Sequence, residues 1–215
     1  MGLIRPVTYL QTEFGSVISS HDPFFEDVNS LWLLHYRLSF IERWVCWNIM
    51  SNDVFPKLSK FTRDDIQSKF SFLNSYYTDK MIKKGLHQEL TSLLKSYTEE
   101  EFRRLLLLDQ QNVQFIINQD HAPLDDMTFL AALCLYRENY FPTSPAIEIQ
   151  SVIHDRNSPG RIFLLQESDA RNILERLNIK KHIFLETNAD LDQVRFRDDM
   201  KSVDVIRKYY LEGRQ

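Results

Sequence analysis

Between Leu31 and Trp47 the chain places Leu31, Leu34, Leu38, Ile41 and Val45 at helical spacing, with Trp32, Trp44 and Trp47 beside them. Apolar residues recurring every three to four positions form one stripe of a helix. Three tryptophans on so short a segment add more apolar surface than one stripe can carry. The segment therefore predicts a central, largely buried helix, broken near Ser39 and ended by Asn52, Asp53 and Pro56. Any fold for this chain has to wrap other elements around it.

The remaining composition permits that. Over 215 residues, 43% are hydrophobic and 26% charged, which suits an ordinary core. Five glycines and the absence of a low-complexity linker point to two halves in close packing. Formal net charge is −4, so the chain is not a generic polyanion binder, and nucleic-acid contact would need a local basic patch. Cys46 and Cys134 sit in apolar helical contexts, as expected of buried free thiols in a reducing compartment. The start MGLIRPVTYL lacks a signal-peptide core, and no apolar run approaches the ~20 residues needed to span a bilayer. We expect a cytoplasmic protein with no membrane contact.

Read in order, residues 1–25 form an N-terminal arm with one short helix near Glu13 to Ser20. After the tryptophan-rich helix, Lys57 to Phe61 reads as a strand. Thr62-Arg63-Asp64-Asp65 is a capping box with Asp in place of the usual Glu, opening a helix of about ten residues. Ser71 to Tyr77 turns the chain, and Thr78 caps a longer helix whose core face is Ile82, Leu86, Leu90, Leu93 and Tyr97. Leu105 to Leu108 and Val113 to Ile117 flank Asp109-Gln110-Gln111-Asn112 as a hairpin. Helix, strand, helix, helix, hairpin is the order of a winged helix-turn-helix, with the Thr78 helix in the recognition position.

The second half echoes the first. Asp126 to Asn139 reads as a helix, Ser144-Pro145 opens another, and Arg161 to Leu165 reads as a strand. Ser168 caps a further helix. His182 to Glu186 and Leu191 to Phe196 flank Thr187 to Asp190 as a hairpin, and Met200 to Leu211 closes the chain as a helix. The strand here falls after the second helix. The expected fold is mainly α with short β-hairpins (α+β): two winged-helix-turn-helix-like units packed together, over 26–120 and 121–215.

The candidate site lies on "TDKMIKKGLHQELTSLLKSY". At about 100° per residue, Lys80, Lys84, His87 and Thr91 fall on one stripe, away from the apolar set. Lys83 lies nearer the apolar flank. Residues 74–97 carry four lysines against Asp79 and Glu89, a local charge of +2 in an acidic chain. Two readings stand: contacts to a nucleic-acid groove by Lys80, Lys83, Lys84, His87 and Thr91, or a solvated helix face. Catalytic signals are weak. Asp120, His121, Asp125 and Asp126 cluster beside Pro123, but Asp125 and Asp126 read as helix cap and first-turn acids. His35 reads as a core histidine bonded to a backbone carbonyl. No Cys-x-x-Cys, phosphate loop or Gly-x-Ser-x-Gly occurs, so no catalytic residue, metal or cofactor is expected.

"DPFFEDVNSLWLLHYRL", "SPGRIFLLQESD" and "LETNADLDQVRF", with "FTRDDI" and the lysine-rich helix between them, together resemble the uncharacterised prokaryotic family DUF4007. The likeness runs in order over nearly the whole chain. Members of that family tend to stand beside genes for DNA phosphorothioation and phage defence, including sulfurtransferases resembling phosphosulfate reductases. The resemblance implies a DNA-modification or antiviral setting, with double-stranded DNA and such a sulfurtransferase as partners, and supplies no catalytic residues. The chain departs from it at Asn188-Ala189-Asp190, where a glycine is expected in the turn, and in a shorter loop before Trp44. Two roles follow: a DNA-binding accessory component, or a non-catalytic adaptor docking a sulfurtransferase, nuclease or ATPase.

Overall fold

The buried tryptophan helix forms, but in two pieces. In the computed structural model, which describes residues 12–41, 44–67, 69–70, 79–188, 191–197 and 200–212, α1 spans Glu13–His21, α2 Val28–Phe40 and α3 Val45–Ile49. A π-helical turn, Met50–Val54, continues α3. Trp32 and Trp47 are buried. The chain divides into two units: Met1–Arg37 with Leu124–Gln215, here the discontinuous unit, and Leu38–Pro123, the central unit.

In the central unit β1 (Lys60–Phe61), α4 (Arg63–Gln67) and α5 (Asp79–Thr98) follow α3. The capping box closes as its residues dictate. Thr62 N and Oγ1 both donate to Asp65 Oδ2, at 2.7 and 2.8 Å, and Asp65 N donates back to Thr62 Oγ1. The turn expected over Ser71 to Tyr77 and the cap at Thr78 lie outside the described residues. A 3₁₀ turn, Glu101–Leu105, leads to β2 (Leu108–Gln111) and β3 (Gln114–Ile117). The hairpin turn is tighter than expected. Asp109 to Gln111 belong to the strand, and Asn112, at φ 55°, makes the turn with Val113. Asn tolerates the left-handed region because its short polar side chain bonds locally. β1 pairs antiparallel with β3, giving the order β1-β3-β2. Beneath it, Phe61 stacks on Phe115 at 5.4 Å and Tyr97 on Phe102 at 5.2 Å.

The discontinuous unit continues with α6 (Asp126–Tyr140), β4 (Ala146–Glu148), α7 (Ile149–His154), α8 (Pro159–Ile162), α9 (Glu167–Ile179), β5 (Ile183–Asn188), β6 (Leu191–Phe196) and α10 (Ser202–Glu212). Its sheet runs β4-β6-β5, all antiparallel. Two expectations need correcting. Ser144-Pro145 opens a strand, not a helix. The Pro145 carbonyl accepts from Phe196 N, and Pro145 sits at the strand entrance, where its missing N–H breaks no ladder bond. Arg161 to Leu165 is not a strand but the end of α8 and its turn. Short apolar runs read alike as strand or buried helix, and here Ser158 Oγ accepts from Arg161 N with Pro159 at the first helical position. Gly160 permits this close packing, because a Cβ there would lie 2.7 Å from Ile153 Cα. β4 thus stands between α6 and α7, as β1 stands between the α3 segment and α4 in the central unit. α9 likewise begins earlier than its expected cap, Ser168, with Gln166 at the N-cap. The turn of the β5–β6 hairpin lies partly outside the described residues.

Two helices end on a left-handed residue other than glycine. After α8, Leu165 N donates to Gly160 O and Leu164 N to Arg161 O, with Leu164 at φ 55°. After α9, His182 N donates to Leu177 O and Lys181 N to Asn178 O, with Lys181 at φ 60°. Both are Schellman closures, in which the left-handed position favours glycine. Leu164 is buried and so gains packing there; Lys181 is exposed and gains none. Lys181→Gly is expected to raise stability by roughly 0.5–1 kcal/mol in chemical denaturation, because the strain removed exceeds glycine's entropic cost. A loss of stability would show that the Lys181 side chain packs favourably.

Candidate nucleic-acid interface

Helix α5 carries the sequence-predicted site. Its inner face is Leu93, Leu94 and Tyr97, fully buried, with Leu86 and Leu90 half-buried. This orientation leaves Gly85, His87 and Gln88 exposed. A Cβ at Gly85 would meet nothing within 4 Å, so this glycine is not required by any neighbour among the described residues. Thr91 is half-buried and accepts from Arg63 Nη1 at 3.4 Å. Lys80, Lys83 and Lys84 lie within α5, but their side chains fall outside the described residues.

Sequence reading missed the contacts that two residues make beside this face. Arg63, at the start of α4, reaches Thr91 and adds a cation beside it. Glu89, the one acid in residues 85–98, is turned away: its Oε1 accepts from Cys46 N at 3.0 Å, capping the first turn of α3. Burial raises the Glu89 carboxyl above its ordinary value, and the bond from Cys46 only partly offsets that. No spacing rule links residues 46 and 89, so the pair had no sequence signal. The hairpin beside α5 adds no cation. Its exposed residues are Asp109 to Gln114, and Asp109 accepts from Asn118 at 3.1 Å.

In the discontinuous unit the corresponding helix, α9, has its basic side chains engaged. Arg171 donates to both oxygens of Asp192, at 2.7 and 3.2 Å, and to Glu167 at 2.9 Å. Arg176 and Lys180 converge on Asp126, at 2.7 and 2.9 Å. Burial alone would raise the Asp126 carboxyl, but these hydrogen bonds outweigh it and hold the group below the usual carboxylate range. On the hairpin Arg195 pairs with Glu186, and Arg197 lies 4.4 Å over the Phe184 ring. Neither arginine reaches Asp204, which pairs with Arg207.

The other candidates take structural roles. His35 is fully buried with Nε2 3.0 Å from Ile162 O. Asp125 caps α6, accepting from Met127 N at 2.7 Å. Both cysteines are buried and unpaired with each other, and burial pushes the Cys134 thiol up to about 12. Among the described residues no group of three or more His, Cys, Asp or Glu side chains could hold a metal ion, and no helix is long and apolar enough to cross a membrane.

The model of the family described as "Protein of unknown function (DUF4007)" matches residues 5–210. The chain is a member of the DUF4007 family. Two solved structures are similar to this DUF4007 chain. A magnesium ion-bound SspB crystal structure has a TM-score of 0.79 and 18% identity, covering 96% of this chain and 68% of that one. An SspB crystal structure has a TM-score of 0.76 with the same identity and coverage. At such identity the likeness is one of fold. No curated protein matches the chain.

Two stability tests follow. Glu89→Ala leaves Cys46 N–H without its acceptor and should cost about 1–3 kcal/mol. Glu89→Gln keeps an acceptor oxygen without the buried charge. Because the folded value is raised, Glu89 contributes stability below its unfolded pKa, and that contribution is lost as pH rises through the folded value. Glu89→Gln should therefore match or exceed the wild type at pH 7, and equal losses for Gln and Ala in urea melts would refute this. Asp126→Asn has the opposite sign. The depressed carboxyl contributes above its unfolded pKa of ~3.9 and loses that contribution as pH falls through the folded value. The variant should be less stable by about 1.5 kcal/mol at pH 7, the low end for charged hydrogen bonds because Arg176 and Lys180 are half-exposed. The gap should close below about pH 4, as followed by denaturant unfolding across pH.

Proposed function

We propose that this DUF4007 chain is a DNA-binding accessory component of a prokaryotic DNA-modification or phage-defence system, acting without catalysis of its own. On this reading each unit is a winged helix-turn-helix. What supports the assignment is the order that runs from α3 in one unit and from α6 in the other: helix, strand, helices, hairpin. Two helices (α4, α5) precede the hairpin in the central unit and three (α7, α8, α9) in the discontinuous one, and the lone strand is paired to the last strand in both. On this reading α5 and α9, the helices before the hairpins, are the recognition helices. The central unit is the DNA-contacting one. The observation that carries this choice is the inward turn of Glu89 onto Cys46, which leaves the outer face of α5 without an acid over residues 85–98. α9, by contrast, spends Arg171, Arg176 and Lys180 on Asp192, Glu167 and Asp126. The hairpin tip would contribute amide contacts from Gln110, Gln111 and Asn112 rather than charge.

A second reading, an adaptor docking a sulfurtransferase, nuclease or ATPase, draws on exposed apolar residues of the discontinuous unit: Phe24, Ile179 and Leu211 are 80%, 76% and 70% exposed. The tryptophans offer it little, since Trp32 and Trp47 are buried.

The two readings separate on a salt titration of duplex binding, plain and phosphorothioated. Lys80→Glu with Lys84→Glu should weaken binding at least tenfold, and the slope of log affinity against log salt should become shallower by roughly 0.9 per lost phosphate contact. Thermal melts of the two proteins should agree within about 0.5 kcal/mol, as usual for exposed helix charges. Arg171→Ala with Arg176→Ala should change affinity less than about threefold. Identical slopes and affinities for wild type and the lysine double variant would reject the DNA reading in favour of the adaptor.

A further inference from the structure

The discontinuous unit holds a cavity of 210 Å³ between α1, α2, α6 and α10. Its walls are mostly apolar, with Phe14, Leu33, Leu135 and Ile206 among them. A half-buried cation belongs to the wall: Arg37, whose Nε is buried and donates to nothing. Burial holds its guanidinium below its ordinary value, and Glu138 is the one carboxylate whose charge opposes that. Glu138 is already engaged. Its two oxygens accept from Ser202 N at 2.6 Å and Ser202 Oγ at 3.0 Å, capping α10. Glu13, the other acid of the wall, pairs with Arg207 at 2.8 Å. Lys201 adds a second, exposed cation.

The local balance is thus a half-buried guanidinium whose Nε–H is short of an acceptor, in an apolar recess whose acids bond elsewhere. A buried donor left without an acceptor is unfavourable. A planar carboxylate supplies the missing partner, because it accepts two parallel bonds from a guanidinium. The volume equals about seven water-sized shares of ~30 Å³, room for roughly eight heavy atoms.

We propose that this cavity is a binding site for a small monocarboxylate with a short apolar body, its head held by Arg37 and its tail against Phe14, Leu33 and Leu135. The site is independent of the DNA reading, since α5 takes no part in it.

Hexanoate is the probe, with hexanol, acetate and inorganic phosphate as comparisons, titrated calorimetrically into the full chain with thermal melts alongside. Hexanoate should bind saturably with a dissociation constant below about 1 mM, within reach of a ligand of that size. Hexanol, which lacks the charge, and acetate, which lacks the tail, should each be at least tenfold weaker. Arg37→Met should lose at least tenfold in hexanoate affinity while melting no lower than the wild type without ligand. Leu135→Phe keeps Arg37 and fills the recess, and it should lose as much; it decides the matter if Arg37→Met does not fold. No saturable hexanoate binding, or binding unchanged within threefold in the folded variants, overturns the proposal. Phosphate binding as tight as hexanoate overturns the apolar tail and with it the ligand class.

Discussion

The discontinuous unit depends on the inner face of α2. Trp32 meets Phe163 edge-on at 5.5 Å, Tyr36 packs on the same ring at 5.3 Å, and Phe129 closes the group at 6.4 Å. Polar atoms of the same face find main-chain partners: His35 bonds Ile162 O, and Tyr36 Oη donates to Asn157 O at 2.8 Å. Apolar burial supplies the drive, and these bonds keep buried polar groups from becoming a penalty. Asp22, buried at the turn before α2, accepts from Glu26 N, Asp27 N and Ser30 Oγ, and Tyr210 Oη meets Ser30 from α10. The segment DPFFEDVNSLWLLHYRL is thus mostly architecture.

Charge in this protein is arranged by pairing rather than by sum. A net −4 says little when Arg171, Arg176, Lys180, Arg195 and Arg207 each face a carboxylate of the discontinuous unit. These pairs are half-exposed and individually modest. Their larger effect is to withdraw cations from the surface that an anionic partner would meet. The turned-in Glu89 does the reverse for the central unit, withdrawing an acid.

Local chemistry was legible where it was complete within a few residues. The Thr62–Asp65 box, the Asp125 cap, the burial of His35 and the β5–β6 strands all follow from short-range pattern. The reading failed where two patterns share one composition. RIFLL suits a strand until Ser158 caps a helix ahead of it and Leu164 adopts the left-handed turn that ends it. SPAIEIQ suits a helix start until Ile147 alone of β4 is buried, between half-buried Ala146 and exposed Glu148. Asn112 gave a hairpin but not its length, because Gln110 and Gln111 are polar on an exposed edge and look like turn. Partners distant in sequence, such as Glu89 with Cys46 or Arg176 with Asp126, had no signal at all, since nothing local selects one acceptor among many.

The 127-residue separation between His35 and its acceptor at Ile162 has a consequence for biosynthesis. The ribosome emits roughly 5–20 residues per second, so α2 waits on the order of ten seconds for the ring of Phe163 to emerge. The central unit, contiguous from Leu38 to Pro123, is complete within that interval. During it Leu31, Trp32 and Leu33 face solvent or whatever shields nascent chains. Order of emergence thus makes the central unit the natural first folder and leaves the discontinuous unit to close last, when α10 brings Tyr210 to Ser30.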